Sequence, residues 1–438
     1  MWLRKAGERH RPPPPAPVYL SVVDPGTTTL RLLVVEVGEG PATVWGWSEG
    51  PGWGQAGPEP STWIAACRQA LNRAEEMAQE RAGHWLLPDQ MVVGLPASQI
   101  KGCAWSVYQR RARPGRPVEE QELTALLGRA LRLAVNRLTD PADPDWRLVD
   151  AAIVTLTVDR RVVTDPVGFR GEEIGAVVFA ALAPAETIRA WGMVGRELEF
   201  SALTLTAAPL ALAAAFSEPE GVLLDVGGAT TDLTWWRAGR PLALSSLPIG
   251  GAAVTAALGR EWRLTPDRAE RLKRAYAGRH LADEACSQVL DVISPVLRAW
   301  LEGVEAGLAH LAQDRDGSLP HRLYLLGGGS ALPEIADAVR ALAWSRRLHF
   351  ARYPQVDRLR ATDVPGVVNR TDLGREGGDI SALSLAAWAA QGRRPPDRPA
   401  RILSERCQAV TACPPAGLSA VSAQVRCNER LALLPATF

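Results

Sequence analysis

The chain has 438 residues, 47% apolar and 22% charged, with a formal net charge of +1. This balance suits a soluble globular protein of about two to four domains, and it gives no electrostatic case for nucleic acid as a main partner. The six cysteines are scattered or lack zinc-ligand spacing, which excludes a disulfide framework and points to a reducing cytoplasm.

Met1–Pro17 is basic and Pro-rich without an apolar core. It reads as a disordered, extended segment rather than a signal peptide. Tyr19–Asp24 is an apolar strand, Pro25-Gly26-Thr27-Thr28-Thr29 a tight polar tip, and Leu30–Val37 the returning strand. Thr62–Arg81 carries helical spacing, and Met91–Pro96 reads as a buried strand. Between about Ala97 and Phe200 the pattern changes to strand, helix (Glu119–Arg137), two strands (Ala152–Val158 and Val162–Val163), a further strand (Gly175–Leu182) and a helix (Pro184–Gly195). That order suits a compact inserted α+β module. Leu203–Phe216 is read as a helix; with Thr204, Thr206 and Pro209 it is too short and too polar to span a bilayer.

Gly221–Asp232 repeats the first device. Val222, Leu223 and Leu224 lead to Asp225, then Gly227, Gly228, Thr230 and Thr231 form a tip before Asp232 and a new strand. Alone, an Asp-x-Gly turn is an ordinary hairpin. Two copies, each after a buried strand, suggest two related half-domains facing each other. Glycine-rich tips suit phosphate, because their N–H groups form an anion-binding concavity and a neighbouring carboxylate can hold a hydrated Mg²⁺. Asp24, Asp225 and Asp232 are the candidate metal carboxylates.

Downstream, Ala252–Leu258, Thr265–Ala277 and Glu284–Asp314 read as helices, with Thr265 as an N-cap and Pro266 at the first helical position. Glu270 and Lys273 share one helix face, as a nucleoside contact or a solvated ion pair. Lysine otherwise occurs only at Lys5 and Lys101, which favours function. His321–Leu326 is a strand ending in Gly327-Gly328-Gly329-Ser330, a turn against which an adenosine could lie, or a plain strand-to-helix turn. A helix to about Leu342, a strand Leu348–Arg352 and a helix Asp379–Ala390 follow. Arg393–Pro399 reads as a linker, and Ala400–Phe438 shows weak periodicity.

Two Asp-x-Gly-Thr hairpins followed by a Gly-Gly-Gly turn resemble the actin-like ATPase superfamily. Val92-Val93-Gly94-Leu95-Pro96-Ala97-Ser98, Asp165-Pro166-Val167-Gly168-Phe169-Arg170-Gly171 and Leu247-Pro248-Ile249-Gly250-Gly251 with Thr255 resemble the cell-division protein FtsA more narrowly. The resemblance spans about Tyr19 to Ala390. It implies an α/β, actin-like ATPase fold: two facing ribonuclease-H-like lobes with an inserted SHS2-type α+β subdomain. The implied boundaries are a disordered 1–17, first lobe 18–98, inserted subdomain 99–200, crossing helix 201–220, second lobe 221–375 with a small subdomain at about 252–319, closing helix 376–392, and linker with flexible tail 393–438.

The resemblance also implies ATP and Mg²⁺ as ligands. Asp24, Gly26, Thr27, Thr28, Asp225, Gly227, Gly228, Thr230 and Thr231 would hold the phosphates, and Glu270, Lys273, Gly327, Gly328, Gly329 and Ser330 the nucleoside. The implied partners are the tubulin-like protein FtsZ, further copies of the chain in a filament, other division proteins and the inner face of the cell membrane. Related ATPases often carry an acid or amide just before the Pro of the crossing segment, to orient the attacking water. Here that residue is Ala208, so slow or absent hydrolysis is expected. The family usually ends in a basic amphipathic helix, whereas Gly417–Phe438 has no strong apolar face and reads as a disordered tail. The alternatives are a related pilus-assembly or competence ATPase and, with no evident acceptor base, a sugar or acyl kinase.

Overall fold

The computed structural model describes residues 17–411, apart from 54–59, 141–142, 144, 217, 314–317, 342–346, 375–378 and 393–394. The expectations for 1–16 and 412–438, disordered end and tail, lie outside the described residues.

The first lobe opens with β1 (Val18–Pro25), β2 (Thr29–Val37) and β3 (Ala42–Pro51), an antiparallel meander of apolar strands. Helix α1 (Pro60–Ala82) packs on it, and β4 (Gln90–Leu95) returns parallel to β1. The inserted module is β5 (Lys101–Arg110), α2 (Glu120–Leu138), β6 (Trp146–Val158), β7 (Arg161–Val163), β8 (Glu173–Pro184) and α3 (Ala185–Glu197). The leucines and alanines of α2 at positions 123, 126, 127, 130, 131 and 134 are buried on its sheet, as their spacing predicts.

The first lobe resumes with β9 (Ala202–Ala207), parallel to β4, and α4 (Ala208–Ala215). This corrects the reading of Leu203–Phe216 as one helix. Alternating Leu and Thr continue the sheet, and the chain turns helical only at Ala208-Pro209, where proline suits a first turn. Periodicity missed this because both faces of β9 are covered: Leu203–Ala207 are all buried.

The second lobe repeats the meander in β10 (Glu220–Val226), β11 (Thr231–Arg237) and β12 (Arg240–Leu247). Helices α5 (Gly251–Trp262), α6 (Pro266–Ala277) and α7 (Asp283–Ala312) follow, then β13 (Arg322–Leu326), parallel to β10. Thr265 holds the N-cap position of α6, without a side-chain cap bond. After the triple glycine come α8 (Pro333–Arg340) and β14 (Gln355–Arg358), parallel to β13. The expected strand at Leu348–Arg352 is reduced to one bridge, Phe350 with Leu319. The strand that does form is polar, with only Val356 buried, so it left no apolar signal. The short β15 (Val367–Asn369) pairs parallel with β3, and α9 (Ile380–Gln391) closes the first lobe.

The two sheets run β15-β3-β2-β1-β4-β9 and β14-β13-β10-β11-β12-β5-β8-β6-β7. Each contains the same strand logic: a three-stranded antiparallel meander whose first strand is extended by parallel strands. The inserted sheet joins the second through one residue pair, Ala243 with Cys103. Helices α4 and α9 pack together in a core shared by β1 and β2 of one lobe and β10, β11 and β13 of the other. Every residue of α9 from Ile380 to Ala390 is buried, as expected of a helix that is apolar all round.

The chain does not run off as a linker after α9. Residues Arg398–Thr411 form α10, which lies on α2 and β6 of the inserted module. Ala400, Leu403 and Cys407, spaced i, i+3 and i+7, are buried there with Ile402. Arg398 pairs with Asp165 at 3.2 Å and Arg401 with Glu120 at 2.8 Å. This corrects the reading of 393–438 as linker and flexible tail for the part that is described. Four apolar residues among arginines give a weak sequence period but a sufficient docking face.

Candidate functional site between the two hairpins

The tips of the β1–β2 and β10–β11 hairpins meet across the lobes. The Ala229 N–H donates to Thr27 Oγ1 at 3.1 Å. A Cβ on Gly228 would lie 2.1 Å from Thr28 Oγ1, so only glycine allows this approach. The first tip is held from behind: Gly52 N–H donates to Thr28 O at 3.0 Å and Trp53 N–H to Gly26 O at 2.9 Å. The Trp53 ring stacks on Trp191 of α3 and meets Trp63 of α1 edge-on, so this tip is tied to the inserted module.

The second tip is held by α5, whose first amides donate to it: Gly251 N–H to Gly227 O at 3.0 Å and Ala252 N–H to Gly228 O at 2.8 Å. Gly327 sits at φ +81, and a Cβ there would lie 2.3 Å from Asp225 Oδ1. The triple-glycine turn is therefore pressed against the aspartate of the second hairpin. Gly328 faces open space. On α6, Glu270 accepts from Thr255 Oγ1 at 2.6 Å and pairs with Lys273 at 2.7 Å. Lys273 Nζ also donates to Gly251 O at 3.2 Å. The two are not a solvated surface pair; they join α6 to the start of α5 beside the second tip.

Two expected contacts turn inward. Thr231 is fully buried; its hydroxyl donates to Ile249 O at 2.8 Å and accepts from Trp300 Nε1 at 2.9 Å. Ser330 donates to Gly327 O of its own turn at 2.7 Å. Both hydroxyls are spent on the walls of the cleft, so neither is free there as the ligand contact expected of it. Thr230 remains at the tip.

The carboxylates form a buried acidic group. Burial pushes Asp24 up to about 7, with Arg31 opposing and Asp225, Asp379 and Asp232 adding to the rise. Burial also raises Asp225, against the Ser381 hydroxyl, which donates to it at 3.0 Å, and the Arg31 charge. Asp232 is pushed up to about 7 by burial, although Ser246 Oγ donates to it at 2.6 Å and Ser98 N–H at 3.3 Å. Among the described residues, no three Asp, Glu, His or Cys stand close enough to enclose an ion directly. The aspartates fit a hydrated cation shared with a phosphate better than a bare ion in a protein cage.

Three partners of this group escaped sequence reasoning. Arg31 faces Asp24 in register on β2 and pairs with Asp379 at 2.8 Å. Its signal was available, since aligning the two hairpins puts Arg31 where the second has Asp232. Asp379 and Ser381, at the start of α9, arrive by tertiary closure and left no local signal. Ala208 is buried at the start of α4, as its apolar side chain dictates. A carboxylate does reach that segment from the inserted module: Asp150 Oδ2 of β6 accepts from Thr206 Oγ1 at 2.5 Å and Ala207 N–H at 3.1 Å.

Two related lobes facing across paired hairpins, with a glycine turn behind the second, define the actin-like ATPase fold. A solved structure of a PilM–PilN type IV pilus biogenesis complex is similar over 86% of this chain and 99% of its own, with TM-score 0.59 and 20% identity. MreB5 of Spiroplasma citri bound to ADP is more distant, with TM-score 0.42 and 11% identity over 84% of this chain and 94% of its own.

Within that fold, the family model for cell division protein FtsA matches residues 222–363. The curated cell division protein FtsA of Neisseria meningitidis serogroup B (strain ATCC BAA-335 / MC58) is 25% identical over 285 residues, 63% of this chain. The match spans 65% of that relative's length. The chain has the actin-like ATPase fold and is similar to FtsA over these residues.

Proposed function

We propose that the chain binds ATP with Mg²⁺ between the two hairpins and works as a cell-division adaptor of the FtsA kind. The observation that carries the nucleotide reading is the meeting of two glycine-threonine tips over a buried acidic group, with α6 and the triple glycine flanking the second tip. Asp24, Gly26, Thr27, Thr28, Asp225, Gly227, Gly228 and Thr230 would face the phosphates. Glu270, Lys273, Gly327, Gly328 and Gly329 would face the nucleoside. Asp24, Asp225 and Asp232 would hold the cation through water, and the cation would neutralise phosphate charge in an otherwise acidic site. Ala208 offers no group to orient a water, so the site favours binding over rapid hydrolysis.

The similarity to FtsA supports the cellular reading. The chain would self-associate, join FtsZ filaments to other division proteins, and act in the cytoplasm at the inner face of the membrane. Among the described residues no helix is long and apolar enough to cross a membrane, so such contact would be peripheral.

Co-sedimentation with FtsZ filaments from the same organism, with and without Mg-ATP, tests this. ATP-dependent pelleting that Asp225→Ala abolishes is the expected result. ATP binding without pelleting would remove the FtsZ link and favour a pilus-type partner, and no ATP binding would remove the nucleotide reading itself.

A further inference from the structure

The start of α9 holds both halves of the acidic group, a role that neither the hairpin motifs nor the proposed ligand contacts assign. Helix α9 is built on the first lobe, against β1, β2 and α4. Its N-cap, Asp379, is buried; one carboxylate oxygen pairs with Arg31 at 2.8 Å and the other accepts from the Gly374 N–H at 2.7 Å. Two residues on, the buried Ser381 donates its hydroxyl across the lobes to Asp225 Oδ2 at 3.0 Å. Asp225 belongs to β10 of the second lobe. A hydroxyl of one lobe therefore fixes the hairpin carboxylate of the other.

The bond is not a by-product of burial. Ser384, one turn further along α9, is also buried, and its hydroxyl has no partner among the described residues. A hydroxyl on this helix is bonded only where a partner is brought to it. Asp225 in turn needs the constraint. The terminal torsion of an aspartate is broad, so contacts rather than rotamer preference set the plane of its carboxylate. Here Oδ1 faces Gly327, where a Cβ would lie 2.3 Å away, and Oδ2 takes the Ser381 hydroxyl. The carboxylate is clamped between the glycine turn of its own lobe and α9 of the other. Such a bond is lost once donor and acceptor part by about another 0.6 Å, so the clamp holds only while the lobes stand this close.

We infer that Ser381 is a positioning residue, which sets the orientation in which Asp225 meets a hydrated cation and makes that orientation depend on closure of the two lobes. The inference rests on the nucleotide reading above and adds to it a coupling between cation capture and cleft closure. Ser381 touches no ligand in this role; it acts through Asp225.

The check is a calorimetric titration of the full chain with ATP, once in excess Mg²⁺ and once in chelator. The wild type is expected to bind Mg-ATP at least about 10-fold tighter than metal-free ATP. Ser381→Ala should weaken Mg-ATP binding about 10-fold and leave metal-free ATP within about 2-fold, since only the aim of the carboxylate is lost. Ser381→Thr keeps the hydroxyl and should keep the wild-type preference for the metal complex. Ser384→Ala, on the same helix, should change neither affinity. An equal loss with and without metal would mark Ser381 as packing alone and overturn the inference, as would a Ser381→Ala protein that binds like the wild type. If Ser381→Ala does not fold, Ser381→Cys, similar in size and a weak donor, takes its place with the same expected split. A wild type that binds no ATP removes the nucleotide reading and this inference together, whereas binding without the split removes this inference alone.

Discussion

The two hairpins share a backbone and differ in charge. In the first, the residue in register with the strand-end Asp24 is Arg31; in the second, the residue in register with Asp225 is Asp232. The first lobe thus carries an internal counter-charge, while the second presents two acids face to face. Their supports differ as well. The first tip leans on Gly52-Trp53 and, through the Trp53 ring, on the inserted module. The second is locked by α5 amides and the Gly327 turn. One motif, duplicated, has diverged into a self-neutralised arm coupled to the insert and an acidic arm fixed within its own lobe. On the proposed reading the acidic arm would be the better seat for a cation, because Arg31 of the other arm is already paired with Asp379 and Glu49.

The largest expected effect comes from breaking the lock of the second arm. Gly327→Ala forces a Cβ onto Asp225 at positive φ and should cost about 3 to 5 kcal/mol in denaturant unfolding. The same change at Gly26 should cost about 1 to 2 kcal/mol, because a Cβ there would lie 2.6 Å from Thr29 O but the position needs no left-handed φ. Next is the counter-charge: Arg31→Met should cost about 3 kcal/mol, since it strands Asp24 and Asp379 without a cation. Asp232→Asn removes one of two facing acids and should cost less than about 1 kcal/mol. A larger loss for Asp232→Asn than for Arg31→Met would sink the asymmetry. Titration with Mg-ATP sharpens it further, with Asp225→Asn expected to weaken binding about 100-fold and Asp24→Asn about 10-fold.

A pH-dependent effect lies away from both arms, at the joint of insert and first lobe. Burial pushes Asp150 from 3.8 up to about 7, against the bonds from Thr206 and Ala207. Its proton therefore binds the folded state more tightly than the unfolded. The stability it contributes is complete below about pH 3.8 and is lost as pH rises through about 7. Asp150→Asn should remove that slope, leaving the variant about 3 to 4 kcal/mol more stable relative to wild type at pH 8 than at pH 4. Thermal melts across that range check it; identical slopes would mean that Asp150 is already solvated.

Most of the scaffold was legible because its signals are local. Both hairpins, α2 and α9 follow from apolar runs, helical spacing and glycine tips. The β9–α4 segment was not, because burial on both sides erases the polar face on which either period depends. Helix α10 was missed for the opposite reason: a few apolar residues among arginines become a face only when α2 and β6 are there to receive them. Within the candidate site, the motifs marked Asp24, Asp225, Gly228 and Gly327, which the fold brings together at the hairpin tips. The inward turn of the Thr231 and Ser330 hydroxyls was not legible, because a hydroxyl next to a glycine tip can turn either way, and packing against Trp300 or the turn's own carbonyl chose inward.

From the sequence alone came the duplicated lobes, the inserted module, the glycine turn and the residues at the hairpin tips. Each is written in neighbours a few positions apart, where φ freedom, strand alternation and helix spacing act. The tertiary structure alone decided which charges share the cleft. Ser381 reaches Asp225 and Asp379 reaches Arg31 from the far end of the chain, Arg31 answers Asp24 and Asp379 together, and Glu334 meets Tyr276 between two helices. Those meetings depend on how separate elements pack, and no local pattern encodes a distance between residues that approach only when the lobes close.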